Sequence, residues 1–170
     1  MGMNLEDAAE DSEEPLVDLV LQLEKIRAIR ETASRLQVPL VLNARTDVYL
    51  LQVGERTTRY DETVRRLRAF RDAGADCVFV PGLKDAATIG RLVSDLQCPL
   101  NILGGPGTPS VPELQKLGVA RVSLGSGPMR AALGLLRRVA DELRSKGTYV
   151  AMEAAPTHAE VNKLMDSRSS

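Results

Sequence analysis

Aromatic side chains are scarce: three Tyr and two Phe stand among 170 residues, with no Trp. A surface that stacks unpaired bases on rings has little to work with here. Charge of one sign is lacking too. The 22 Lys and Arg against 23 Asp and Glu leave a formal charge of −1, without the basic excess of a nucleic-acid footprint. Histidine occurs once, at His158, and no Ser–His or Cys–His pairing supports triad hydrolysis. The two cysteines, Cys77 and Cys98, lie far apart and read as buried free thiols of a reducing cytosol. No apolar run approaches a bilayer span: the richest, 16–23, is short and broken by Asp18 and Gln22. The N-terminus is acidic and lacks the basic start and apolar block of a secretory signal. These absences read as a soluble, cytoplasmic protein that binds neither nucleic acid nor membrane.

What is present is a regular alternation. Short runs rich in Val, Leu and Ile recur at 3–5, 40–44, 77–80, 100–103 and 119–124. They do not alternate with polar residues, which suits parallel strands covered on both faces. Segments of helical period lie between them. Pro15 is expected to open a helix running to about Gln37, and Asp61 and Glu62 a second one with Val64, Leu67 and Phe70 on one face. Most of Arg65, Arg66, Arg68 and Arg71 are expected on its solvated side. Asp85 caps a third helix, Ser110 with Glu113 forms a capping box on a short fourth, and Pro128 opens a fifth that Gly147 ends. The fifth carries the stripe Met129, Leu133, Leu136, Val139 and Leu143. Thr157 and Glu160 cap a last short helix, and 166–170 reads as a frayed end.

Five strand–helix units in series define an α/β protein with a parallel sheet. Two architectures fit the length: a doubly wound, flavodoxin-like sheet, and part of a (β/α)8 barrel. A whole barrel takes about 250 residues, so five units of eight would take roughly 156. The first strand offers only Met3 and Leu5 as large apolar residues before Glu6, little for a central parallel strand. That favours an incomplete TIM-type barrel.

In both architectures ligands bind beyond the carboxyl ends of the strands. There the sequence places Glu6 and Asp7, Asn43 and Arg45 to Asp47, Asn101, and Ser123. Carboxylates, one guanidinium, an amide and hydroxyls on one rim suit an anionic, oxygen-rich substrate held by a divalent cation and an arginine. Arg45 could equally pair with Asp47 as structural glue. The glycine turns at 104–107 and 125–127 match neither GxGxxG nor a P-loop.

Five segments in order carry a resemblance across nearly the whole chain. They are Gly2-Met3-Asn4-Leu5-Glu6-Asp7, Asn43-Ala44-Arg45-Thr46-Asp47, and Ala73-Gly74-Ala75-Asp76 with Phe79-Val80-Pro81-Gly82. Pro99-Leu100-Asn101 and Leu117-Gly118-Val119-Ala120-Arg121-Val122-Ser123 complete the set. Together they resemble the isocitrate lyase/phosphoenolpyruvate mutase superfamily. The resemblance implies a (β/α)8 barrel of which residues 1–150 correspond to units four to eight, with 151–170 a tail bearing a short helix. It implies Mg2+ (or Mn2+) chemistry on the C–C or P–C bond of a small α-oxocarboxylate, through an enolate-like species. By the same resemblance Glu6 corresponds to a metal-site carboxylate acting through water, and Arg45 to the catalytic arginine that grips the substrate's anionic group. Asn101 and Ser123 correspond to substrate-binding rim positions, and the family implies a homo-oligomer.

Departures narrow the expectation. The family's main metal-binding aspartates lie on strands before those found here. Residues 8–14 contain no Cys, Lys or His, so the Lys-Lys-Cys-Gly-His loop of the lyase members is missing, and Pro81-Gly82 stands where lyases place a glutamate. The phosphonomutase-like branch remains. Two other readings stay open: a catalytically inactive, truncated member of that family, and a small flavodoxin-like phosphate-binding module.

Overall fold

The computed structural model describes residues 1–9 and 13–166. The frayed end expected from 166 onward falls, from 167, outside the described residues. So do Glu10 and Asp11 of the acidic loop after Asp7.

The chain divides into two compact units, Met1–Gly125 and Ser126–Ser170. In the first unit five strands alternate with helices: β1 Gly2–Glu6, α1 Leu19–Arg35, β2 Val41–Arg45, α2 Arg59–Asp72, β3 Cys77–Val80, α3 Ala86–Leu96, β4 Leu100–Leu103, α4 Val111–Lys116 and β5 Arg121–Ser123. All strands are parallel, and their order in the sheet is their order in the chain. A flavodoxin-like sheet reverses its order part-way, which puts helices on both faces. An unreversed order with right-handed crossovers puts every helix on one face. The core shows this. Leu42, Ala44, Val78, Val80, Leu100 and Ile102 share one face of the sheet and cluster with Ile26 of α1, Phe70 of α2, Leu92 of α3 and Leu114 of α4. The sheet is a curled half-barrel, the incomplete TIM-type barrel expected, and the flavodoxin-like alternative is excluded.

Helix starts follow local chemistry. Asp18, not Pro15, opens α1: its carboxylate accepts the backbone N–H groups of Val20 and Leu21 at 2.9 and 3.3 Å. Pro15 lies instead in a loop that folds back on itself. Its carbonyl accepts the Ala9 N–H, and Leu16 bridges to Ala8. Asp85 caps α3 through the Thr88 N–H, and the Ser110 N–H donates to Glu113 in the first turn of α4. At the opposite end of the strands Arg30 of α1 binds the carbonyls of Leu40 and Gly74 and the Asp76 carboxylate, locking the turns before β2 and β3.

In the second unit α5 spans Gly127–Lys146 and ends at Gly147 in the left-handed conformation. The expected apolar stripe is present but uncovered: Met129, Leu133, Leu136 and Leu143 are all exposed. A 3-10 turn at Val150–Met152 is pinned by the Glu142 carboxylate, which accepts the N–H groups of Val150 and Ala151. The last helix, α6, spans His158–Asp166 and starts at a reciprocal Thr157–Glu160 cap.

Gly82 fixes the packing at the rim. It has φ +85°, and a Cβ there would lie 2.9 Å from the backbone of Leu50. Gly82→Ala should therefore lose at least about 1 kcal/mol of unfolding free energy in urea. An unchanged midpoint would show that the Leu50 turn moves aside freely.

Candidate active site

The face of the sheet away from the helices carries polar residues in register. Across the strands run Glu6, Arg45, Phe79, Asn101 and Arg121, each paired with the next. Ser123 stands one step further on, opposite Leu103. Because side chains alternate along a strand, these six share the concave face. Curling hides the middle of the row. Asn101 is completely buried and Phe79 nearly so, while Glu6 and Arg121 at its ends remain exposed.

The sequence-predicted residues meet in two pairs. Arg45 Nη1 lies 2.6 Å from the Glu6 carboxylate, and Asn101 Nδ2 donates to Ser123 Oγ at 2.9 Å. Register places the Phe79 ring between the pairs, and the Arg45 guanidinium lies 5.8 Å from its centroid. That contact holds the cation over an apolar floor. The structural-glue role for Arg45 is present too, since its Nε donates to Asp47 Oδ1 at 2.8 Å.

Behind Arg45 sits a buried charge cluster. Asp7 and Asp47 have no exposed surface, and Arg66 retains 7%. Asp7 accepts from the Thr46 hydroxyl at 2.7 Å, the Asp47 N–H at 2.8 Å and Arg66 Nη1 at 3.1 Å. Arg66 also binds Glu62 at 2.8 Å and the Val17 carbonyl at 3.2 Å. Arg65 and Arg68 lie on the solvated side of α2 as expected for most of its arginines, whereas Arg66 turns inward. It falls on the stripe of Thr63, Leu67 and Phe70, three and four residues apart, and that spacing was the available signal. Nothing in the sequence marked Phe79 as the floor. Cys77 is buried as expected, whereas Cys98 is only half-buried.

Burial pushes the Asp7 carboxyl above its ordinary value, against the bonds from Asp47, Thr46 and Arg66 that favour its charge. Burial likewise raises Asp47, opposed by Arg45 and reinforced by the charges of Asp7 and Glu6. One Asp47 oxygen, Oδ2, is buried without a hydrogen-bond partner.

The Mg2+ implied by the resemblance does not fit these residues alone. Among the described residues no three His, Cys, Asp or Glu side chains gather as a metal site, and the Glu6 carboxylate is engaged by Arg45. Among them, too, no helix is long and apolar enough to cross a membrane.

A parallel sheet in chain order, with a polar row ending at the strands' carboxyl ends, defines part of a (β/α)-barrel scaffold. The family model for phosphoenolpyruvate phosphomutase matches residues 1–144, and the chain belongs to that lyase/mutase family. An uncharacterized protein of Mycobacterium tuberculosis is 41% identical over 132 residues, which cover 78% of this chain and 47% of that protein. A candidate lyase/mutase from Burkholderia cenocepacia superposes with a TM-score of 0.90 at 35% identity, over 99% of this chain and 60% of its own. An oxaloacetate acetylhydrolase solved with its product oxalate gives 0.76 at 27% identity, over 96% of this chain and 56% of its own. The chain thus spans about half the length of the curated relative it matches.

The two raised carboxyls set a sign for pH. Each binds its proton more tightly folded than unfolded, so its contribution to stability is full below the ordinary carboxyl range and is lost as pH rises through the folded value. Asp47→Asn removes one such group. As pH is raised from about 3 to about 7, the wild type should lose stability relative to this variant in urea titrations. A gap moving the other way would mean that Arg45 outweighs burial.

Proposed function

We propose that this chain supplies the acid-gripping part of a lyase or phosphonomutase-like active site, working on the C–C or P–C bond of a small α-oxocarboxylate. The single observation that supports it best is Arg45 itself. Its Nε is fixed by a buried carboxylate, its Nη1 meets only a half-exposed one, and it stands at the carboxyl end of a barrel strand. An incoming carboxylate can replace Glu6 on the terminal nitrogens while Asp47 keeps its hold on Nε. Such a fixed cation also stabilises charge that develops as an enolate-like species forms.

In this reading Arg45 is both the binding and the catalytic cation, and Asn101 with Ser123 offers an amide and a hydroxyl to the substrate's oxygens. Glu6 would be the carboxylate to meet a metal-bound water, were a divalent cation held beside the rim. Mg2+ or Mn2+ belongs to the reading only with further carboxylates from beyond the described residues. The relative crystallised with oxalate makes a small dicarboxylate the natural probe. In this reading residues 1–150 correspond to the family's barrel units four to eight and 151–170 to a tail, in a cytoplasmic homo-oligomer.

A second reading, an acid-binding chain without turnover, is favoured because no cluster of metal ligands forms among the described residues and because residues 8–14 contain no Cys, Lys or His. Calorimetry with oxalate, followed by turnover assays with oxaloacetate and phosphonopyruvate in Mg2+ buffer, separates the two. Arg45→Gln should weaken oxalate binding at least about tenfold, the worth of a charged hydrogen bond. Glu6→Gln should tighten it in metal-free buffer, because the competing charge is gone. Oxalate affinity indifferent to Arg45 would remove the acid-gripping role from both readings. Binding without turnover would select the second.

A further inference from the structure

We propose that Asp7 is the positioning residue for Arg45, acting through the β2 end rather than touching the guanidinium. Its value to substrate binding rests on the role of Arg45 proposed above, while the coupling itself stands on the geometry.

Asp7 is the first residue past β1, and its N–H still donates to the Arg45 carbonyl at 3.2 Å. The carboxylate therefore reaches across to the turn that follows β2. Oδ1 takes the Asp47 N–H, and Oδ2 takes the Thr46 hydroxyl and Arg66. Three donors satisfy a carboxylate with no access to water, and Arg66 balances its charge. Asp47, so held by its backbone, presents Oδ1 to Arg45 Nε. The Asp7 carbonyl accepts the Val17 N–H, and Arg66 binds the Val17 carbonyl, so the same residue ties down the loop beside the rim.

A free arginine side chain carries rotamer entropy that it loses when it is held. A guanidinium already fixed at Nε gives up less of it when an acid arrives.

The test follows the Arg45 Nε–H directly by NMR, assigned by its loss in Arg45→Lys. In the wild type this proton should exchange slowly. In Asp7→Asn it should exchange at least about tenfold faster, the scale of a lost coupling between contacting residues, while the amides of β3 and β4 stay protected. Thr46→Val, which removes one Asp7 bond and no charge, should shift exchange in the same direction and decides the question if Asp7→Asn does not fold. Oxalate calorimetry adds a double-mutant cycle. Asp7→Asn should weaken binding about tenfold when Arg45 is present and leave it unchanged in the Arg45→Gln background. Unaltered Nε–H exchange in both variants, or an equal loss of affinity in both backgrounds, overturns the proposal. If the wild type binds no oxalate, the functional reading of the rim fails, and Nε–H exchange alone decides the role of Asp7.

Discussion

Handedness repeated without reversal shapes this molecule. Each strand–helix–strand crossover of a parallel sheet turns the same way, and four in a row place α1 to α4 on one side. Apolar alternates such as Leu42, Val78 and Leu100 are spent against those helices. The other alternates, Glu6, Arg45, Phe79, Asn101 and Ser123, are left to line a concave face that the helices do not reach. That division explains why a chain with ordinary composition assembles carboxylates, a guanidinium, an amide and a hydroxyl on one surface.

Charge on that face is graded by burial. At the rim, Glu6 and the outer nitrogens of Arg45 meet water and are free to exchange partners. Behind them, Asp7, Asp47 and Arg66 are sealed, and each gains its tolerance of burial from the others. Breaking such a set leaves an uncompensated charge in the interior, so the cluster is rigid where the rim is adaptable. At the far ends of the strands a different group, Arg30 with Asp76, ties turns together. In barrel enzymes that end serves stability and the opposite end serves chemistry.

Much of this was readable beforehand. The five strands, the caps at Asp85 and Thr157, the end of α5 at Gly147 and the choice of a barrel over a doubly wound sheet follow from apolar runs, capping residues and a weak first strand. Arg45 and Glu6 were picked out by their place after a strand, and they do meet. Pro15 misled because proline suits a helix start in general, whereas here Asp18 has the carboxylate that accepts two otherwise unbonded amides of the first turn. Arg66 was missed because four arginines in one helix read as a solvated face, and only the one at the Thr63–Leu67–Phe70 spacing turns inward.

The sequence by itself determined the class of fold, the family and the strand ends at which chemistry gathers, because periodicity and capping are local properties written within a few residues. Tertiary structure alone decided the partners: that Asp7 reaches over β2 to Asp47, that Arg66 arrives from α2 to balance it, and that Phe79 lies beneath Arg45. Those pairings join residues as many as 59 positions apart. Their energetics depend on how much water the folded chain excludes, a quantity that no local pattern of residues records.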